Sequence, residues 1–189
     1  MPELYESYAL VDDNGQPYRL ESADLSIQAV VNVRKLKLQI SRKLNTPPEK
    51  ISSHPNITLP DNPVGKTGFD PGVYWQAPNE WLLVFNNDNE ELNDVDLRLD
   101  ENCVVTELSS QYTIIDLDGE RATALIKLSC AIDLHESTFE SGQYKLTRFA
   151  RLPVILHRSL VASTFRIIVN RSEARYLWDW LVDAKKRPV

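Results

Sequence analysis

Apolar side chains recur at every second position from Ile27 through Ala29, Val31 and Val33, the period of a half-buried strand. The pattern then changes: Leu36, Ile40 and Leu44 are spaced by four, which predicts a short helix. Asn45 to Asp70 is rich in Pro, Asn, Asp and Gly and reads as a long loop. Gly72 to Phe85 predicts two short strands joined by a turn at Pro78-Asn79. Asn86 to Asn102 is acidic and places Leu92, Val95 and Leu99 on one helical face. Cys103 to Leu117 is β-branched and strand-like, and Gly119 to Ser129 carries Ala122, Leu125, Ile126 and Ser129 at helical spacing. Gln143 to His157 is extended and divided by Pro153, which suits an edge or a corner. Thr164 to Val169 is a further strand.

The best-defined element closes the chain. Ser172 is a candidate N-cap, followed by Glu173 in the first turn. At about 100° per residue, Ala174, Leu177, Trp178, Leu181 and Val182 share one face. Tyr176 and Trp180 lie on another flank, against a loop of the same domain or as an aromatic anchor at a subunit interface. Strands and helices thus mix with hairpin-like neighbours, which predicts an α+β fold: a mainly antiparallel sheet with helices packed on it. Residues 1–24 read as an irregular lead-in around the turn Asp13-Asn14-Gly15. Residues 25–189 read as a single α+β domain, divisible into two small subdomains, 25–100 and 101–189.

Composition adds little to that picture. A chain of 189 residues with 42% hydrophobic and 25% charged residues has an ordinary globular make-up. The net charge of -6 removes weight from a general nucleic-acid binder. The distribution says more. Asp70 to Glu101 holds nine acids against one base, and Tyr144 to Arg187 holds ten bases against three acids. A second basic run, Arg34-Lys35-Lys37-Arg42-Lys43-Lys50, faces only Glu49. Either these faces pair within the fold, or a basic and an acidic face dock on a partner. From charge and helical phase, the candidate partner contacts are Arg148, Arg151, Arg158, Tyr176 and Trp180. The acidic N-terminus has no apolar core segment, and only two cysteines, Cys103 and Cys130, are present. A reducing cytoplasm with free thiols is expected, with no membrane partner.

Catalytic chemistry is hard to place. Val64-Gly65-Lys66-Thr67 resembles the end of a phosphate-binding loop, but the first glycine of that motif is replaced by Pro60. No dinucleotide-binding glycine fingerprint occurs. His54, His135 and His157 stand in no metal-ligand spacing. Cys130 and His135, five apart, lack any motif that activates the thiol and read best as a small buried thiol and a structural imidazole. Asp116-Leu117-Asp118-Gly119-Glu120 reads as a strand-to-helix turn rather than a calcium loop. No catalytic, cofactor-binding or metal-binding residue is assigned.

The segment Leu117-Asp118-Gly119-Glu120-Arg121-Ala122, through Cys130-Ala131-Ile132-Asp133-Leu134-His135, resembles the Leu-Ser-Gly-Pro-x-Ala … Gly-Cys-x-Leu-Asp-Leu-His run of the gamma subunit of heterotetrameric sarcosine oxidase. Phe139, Gly142, Thr147-Arg148 and Pro153-Val154-Ile155-Leu156-His157-Arg158 continue it in register. Phe165, Arg171-Ser172 and Trp178-Asp179-Trp180-Leu181 match that family's closing helix, and Asn79-Glu80-Trp81-Leu82-Leu83-Val84 its upstream segment. Glu120 stands where a Pro is usual and Ser129 where a Gly is usual. The resemblance covers roughly residues 75 to 184.

It implies a fold like the folate-binding domain of the glycine-cleavage aminomethyltransferase and a structural subunit with alpha, beta and delta partners, chiefly alpha. FAD, FMN, NAD, tetrahydrofolate and zinc are expected on those partners and none on this chain. The implied complex oxidises sarcosine to glycine, passes the methyl carbon to tetrahydrofolate and releases hydrogen peroxide. Two other readings stay open: a folate-binding module, and the equivalent subunit of an oxidase or dehydrogenase for N-methylglutamate or dimethylglycine.

Overall fold

The computed structural model describes residues 10–41, 50–51, 54–86, 103–161 and 163–187. The chain divides into two compact units, a composite one (Met1–Val31 with Ser110–Val189) and a middle one (Asn32–Ser109). These limits differ from the expected 25–100 and 101–189, because the N-terminal strands join the C-terminal part. The composite unit begins with β1 (Arg19–Glu21) and β2 (Ser26–Val30). The middle unit holds β3 (Val33–Ile40), β4 (Lys50–Ile51), β5 (His54–Thr58), β6 (Val64–Lys66), β7 (Gly72–Ala77), β8 (Glu80–Asn86) and β9 (Cys103–Glu107). The composite unit resumes with β10 (Tyr112–Asp118), helix α1 (Ala122–Lys127), β11 (Gln143–Phe149), β12 (Leu152–Arg158), β13 (Thr164–Asn170) and helix α2 (Arg171–Lys185).

In the composite unit the strands run β1-β2-β10-β13-β12-β11. Each neighbouring pair among them is antiparallel. Period-two alternation turns Ile27, Ala29, Ile115, Leu117, Phe165, Ile167, Val169, Val154 and Leu156 into one core. Helix α1 adds Ala122, Leu125 and Ile126, and α2 adds Ala174, Leu177, Trp178, Leu181 and Ala184. Among the described residues the fold is therefore α+β, a mainly antiparallel sheet carrying two helices. In the middle unit the order is β7-β8-β3-β9, with Leu36, Leu38, Ile40, Trp81, Leu83 and Phe85 forming the core.

Several expectations need correcting. Leu36 and Ile40 lie on a strand, not a helix. A spacing of four also satisfies period two, and Leu38 between them is fully buried. Strand β3 is hydrogen-bonded on both sides, to β8 and β9, so the ladder satisfies its backbone. Leu44 lies outside the described residues, as do the helical positions Leu92, Val95 and Leu99. The lead-in is not wholly irregular: β1 falls inside it, and Asp12 Oδ1 accepts the backbone N–H groups of Asn14 and Gln16 at 2.9 and 2.8 Å. Gly15, at φ +76°, closes the expected turn. The 45–70 segment contains β4, β5 and β6 rather than loop alone. The 103–117 stretch is two strands, because residues 108–111 turn.

Pro153 does not divide the 143–157 stretch. The break falls at Ala150 and Arg151, with φ values of 50° and 70°, the left-handed pair that a two-residue hairpin requires. Pro153 sits opposite Arg148 at the start of β12, whose ladder to β13 begins only at Val154. Its missing N–H thus removes no ladder bond there, and β12 is an internal strand. Helix α2 begins at Arg171, one residue before the expected cap Ser172, and Asn170 takes the N-cap place without a side-chain bond. The turn expected at Pro78-Asn79 is present, with Asn79 at φ 65°.

Candidate interaction surface

The β11–β12 hairpin and helix α2 bring together most of the candidate contacts. Phe149, the last residue of β11, is fully buried and meets Trp180 edge-on, with ring centroids 5.0 Å apart and planes at 78°. That contact seats the hairpin against α2, while Arg148, one position before Phe149, points to the opposite face of the sheet and Arg151 lies in the turn, both exposed. Tyr176 lies one turn before Trp180 on the helix and is 53% exposed. Trp180 itself is half-buried against the core. It therefore helps seal its own unit, against strand β11 and not against a loop as expected.

Arg158 does not join this surface. It is 8% exposed and turned inward. Its Nη1 donates to the carbonyls of Leu134 and Phe139 at 3.3 and 2.9 Å, and its Nη2 donates to Glu136 Oε1 at 2.8 Å. The guanidinium also lies 5.8 Å from the centroid of the buried Phe165 ring. Arg158 thus fastens the segment 134–139 to the sheet, and a candidate contact chosen by charge proves to be a structural clamp.

The other basic residues of the C-terminal third are partly spoken for. Arg166 forms a two-pronged pair with Asp116, Nε to Oδ1 and Nη2 to Oδ2, each 2.8 Å. Arg175 pairs with Asp179 one turn along the helix, lies 5.7 Å from the Tyr18 ring centroid and donates to its hydroxyl at 3.2 Å. Tyr18 in turn packs on Trp178, 5.4 Å between centroids, so the lead-in is tied to α2. The Asp179 partnership holds the Arg175 guanidinium above its ordinary value. In the middle unit the described side chains of the basic run, those of Arg34, Lys35 and Lys37, are satisfied internally. Arg34 pairs with Glu107 at 2.9 Å and Lys37 with Glu80 at 2.7 Å, while the buried Lys35 donates to Ser109 O at 2.8 Å. Arg42, Lys43 and Glu49 lie outside the described residues.

The groups that suggested chemistry are dispersed. Cys130 is buried with Thr147 Oγ1 4.0 Å from its sulfur, whereas His135 is exposed and its Nδ1 meets Ser137 Oγ at 2.8 Å. Asp133 accepts the His135 backbone N–H at 2.9 Å and the Thr138 hydroxyl at 3.1 Å. The carboxylate therefore orders the loop instead of orienting the imidazole, and a relay of the Ser-His-Asp kind is not assembled. Thr67, at the end of the Gly65-Lys66-Thr67 run, accepts the Val73 N–H at 2.9 Å. That run is strand β6 followed by a structural bond, not a phosphate-binding loop before a helix.

Among the described residues no group of three or more His, Cys, Asp or Glu side chains is placed to hold a metal ion. A concavity of about 310 Å³ in the composite unit is lined by Ser22 to Ser26 and by Asp118, Gly119 and Glu120. Arg121 and the Lys185–Arg187 end of α2 lie against it, so it is not net acidic. Gly119 closes it at φ +116°, where an added Cβ meets Asp24 O at 2.4 Å. Among the described residues no helix is long and apolar enough to cross a membrane.

Residues 57–187, most of both units, match the sarcosine oxidase, gamma subunit family. The chain belongs to that family. The gamma subunit of sarcosine oxidase from Corynebacterium sp. (strain U-96) is 26% identical over 174 residues, 87% of this chain and 84% of that protein. The gamma subunit from Corynebacterium sp. (strain P-1) is 30% identical over 113 residues, 59% of this chain and 55% of its own length. Among solved structures, a chain of the heterotetrameric sarcosine oxidase from Corynebacterium sp. U-96, in complex with pyrrole 2-carboxylate, superposes with a TM-score of 0.71. It is 24% identical and covers 88% of this chain and 86% of its own. The glycine cleavage system aminomethyltransferase T from Bartonella henselae superposes at 0.57, with 15% identity over 85% of this chain and 46% of its own. The likeness of the gamma-subunit fold to an aminomethyltransferase, expected from sequence, is thus present.

Proposed function

We propose that the chain is the non-catalytic gamma subunit of a heterotetrameric sarcosine oxidase-type complex, assembled with alpha, beta and delta partners and chiefly with alpha. In this reading the complex oxidatively demethylates sarcosine to glycine, hands the one-carbon unit to tetrahydrofolate and releases hydrogen peroxide. FAD, FMN, NAD, tetrahydrofolate and zinc reside on the partners. The family match over residues 57–187 carries the reading. It is supported by the separate engagement of Cys130 with Thr147 and of His135 with Ser137.

Docking on alpha uses the β11–β12 hairpin end, with Arg148 and Arg151 supplying charge and Tyr176 and the rim of Trp180 supplying aromatic area. Such a basic surface selects an acidic patch on its partner and makes assembly salt-sensitive. The test is purification of the chain alone, followed by its absorbance spectrum and an assay for sarcosine-dependent peroxide. A colourless, inactive chain is expected. A yellow, flavin-bearing chain that turns over sarcosine alone would overturn the reading.

A further inference from the structure

The tip of the β11–β12 hairpin carries residues that its own turn disfavours. Phe149 faces Leu152 across the ladder, so Ala150 and Arg151 are the two residues of the loop. Their φ values are 50° and 70°. A two-residue loop with positive φ at both positions favours Asn-Gly, Asp-Gly or Gly-Gly. In that region a Cβ crowds the following carbonyl oxygen, which glycine avoids and which asparagine and aspartate tolerate. Two other residues of positive φ, Asn32 and Asn79, are asparagines. Ala150 and Arg151 are of neither tolerant kind, and they are the one consecutive non-glycine pair with positive φ among the described residues.

The two positions differ in what offsets that strain. Ala150 is 2% exposed and belongs to the core of the composite unit. Its methyl group is buried, and a polar Asn or Asp would lose water there. Packing thus accounts for Ala150. It does not account for Arg151. That side chain is exposed and forms no hydrogen bond, ion pair or ring contact among the described residues. Arg34, Arg121, Arg158, Arg166 and Arg175, by contrast, each pair with a carboxylate of this chain. Glycine at 151 would relieve the turn and break no contact. Strain that nothing within the fold offsets points to a function of the side chain itself. Its position agrees: Arg148 lies opposite Pro153 on one face of the hairpin, Phe149 meets Trp180 on the other, and Arg151 is the cation at the tip between them.

We propose that Arg151 is the side chain that decides docking of the hairpin, and that it pairs with an Asp or Glu carboxylate of another subunit of the complex. A guanidinium offers two N–H groups in the geometry that two carboxylate oxygens accept. The ladder on both sides of the turn and the buried Phe149 and Ala150 fix the backbone beneath it, which lowers the ordering cost of binding. The chain gives up turn stability for docking. The inference rests on the complex membership proposed above, and narrows its basic surface to one side chain and one group on the partner.

The test titrates the full chain into co-expressed alpha, beta and delta subunits and, separately, records the thermal melt of the chain alone. Wild type is compared with Arg151→Gly, which removes both the strain and the guanidinium, with Arg151→Gln, which keeps the strain and removes the charge, and with Arg151→Lys, which keeps the strain and a point charge. Arg151→Gly raises the melting temperature by about 2–4 °C, while the Gln and Lys variants melt with wild type. Arg151→Gly and Arg151→Gln weaken assembly by about tenfold or more, and Arg151→Lys falls between them and wild type. An Arg151→Gly chain that assembles as tightly as wild type overturns the proposal, because the arginine is then only tolerated at the turn. A melting temperature of Arg151→Gly at or below that of wild type overturns it as well, because nothing is then given up there. Full assembly of Arg151→Lys overturns the two-pronged carboxylate pair. A wild-type chain that fails to assemble at all refutes the parent reading instead, and this one with it.

Discussion

Replacing Arg158 with Met tests the claim that this residue is a clamp and not a contact. The substitution keeps the aliphatic length and removes the guanidinium. Two carbonyls, on Leu134 and Phe139, then lose a donor in surroundings that are 3% and 0% exposed. A buried acceptor left without its partner costs about 1–3 kcal/mol. The 3.3 Å bond to Leu134 belongs at the low end and the 2.9 Å bond to Phe139 in the middle. The stacking on Phe165 adds about 0.5–2 kcal/mol. Arg158 Nε is buried without a hydrogen-bond partner, so removing it returns part of that cost. The Glu136 carboxylate is 78% exposed, and an exposed pair is worth only about 0–1 kcal/mol. The expected net loss is about 2–4 kcal/mol, or roughly 5–15 °C in melting temperature for a chain of this size.

Chemical denaturation followed by circular dichroism gives that number. Hydrogen exchange localises it. The amide protons of Thr138 and Phe139, which donate to His135 O at 2.9 and 2.8 Å, should lose protection before those of β10 and β13. Glu136→Gln is the control and should shift stability by under about 1 kcal/mol. A neutral Arg158→Met, or a Glu136→Gln equal to it, would refute the clamp and return Arg158 to the surface.

Three other outcomes follow from the same geometry. Asp116→Ala strands the guanidinium of Arg166, which is 7% exposed, and should cost about 3 kcal/mol, whereas Asp116→Leu/Arg166→Met should recover most of it in the same unfolding assay. Gly119→Ala combines a Cβ 2.4 Å from Asp24 O with φ +116°. It should destabilise by more than about 1 kcal/mol, and a neutral thermal melt would show that the turn can relax. The Asp133 carboxyl is held below its ordinary value of 3.8, first by the His135 backbone N–H and then by the Thr138 hydroxyl. A depressed folded value stabilises above the unfolded value and is lost as pH falls through the folded one. The order of the 133–138 loop should therefore persist at neutral pH and fade only below about pH 4, and Asp133→Asn should remove that acid step from an NMR titration.

What the sequence disclosed depended on whether a local signal had one meaning. The β7–β8 hairpin was legible because two short apolar runs met a turn, Pro78-Asn79, that tolerates positive φ. Helix α2 was legible because five apolar residues fitted one period of 3.6. Strand β3 was not, since Leu36 and Ile40 fit both periods and the deciding partners, Leu83 and Glu107 opposite Leu36, are distant in sequence. The site showed the same division. Arg148, Arg151 and Tyr176 are exposed as charge and helical phase implied. Trp180 was only half legible: its flank of the helix could be read, but the Phe149 ring that half-buries it lies on a different element. Arg158 looks like its neighbours in composition and is buried only because segment 134–139 returns over it.

The measurement closest to the central claim is sedimentation of the chain mixed with its alpha, beta and delta partners, followed at both protein and flavin absorbance. The account predicts that the wild-type chain is colourless alone and moves with the flavin boundary in the mixture. It also predicts that Arg148→Glu/Arg151→Glu, with a wild-type melting temperature, trails behind as free chain. A wild-type chain that stays at its own boundary in the presence of all three partners, or one that carries flavin by itself, would contradict the account.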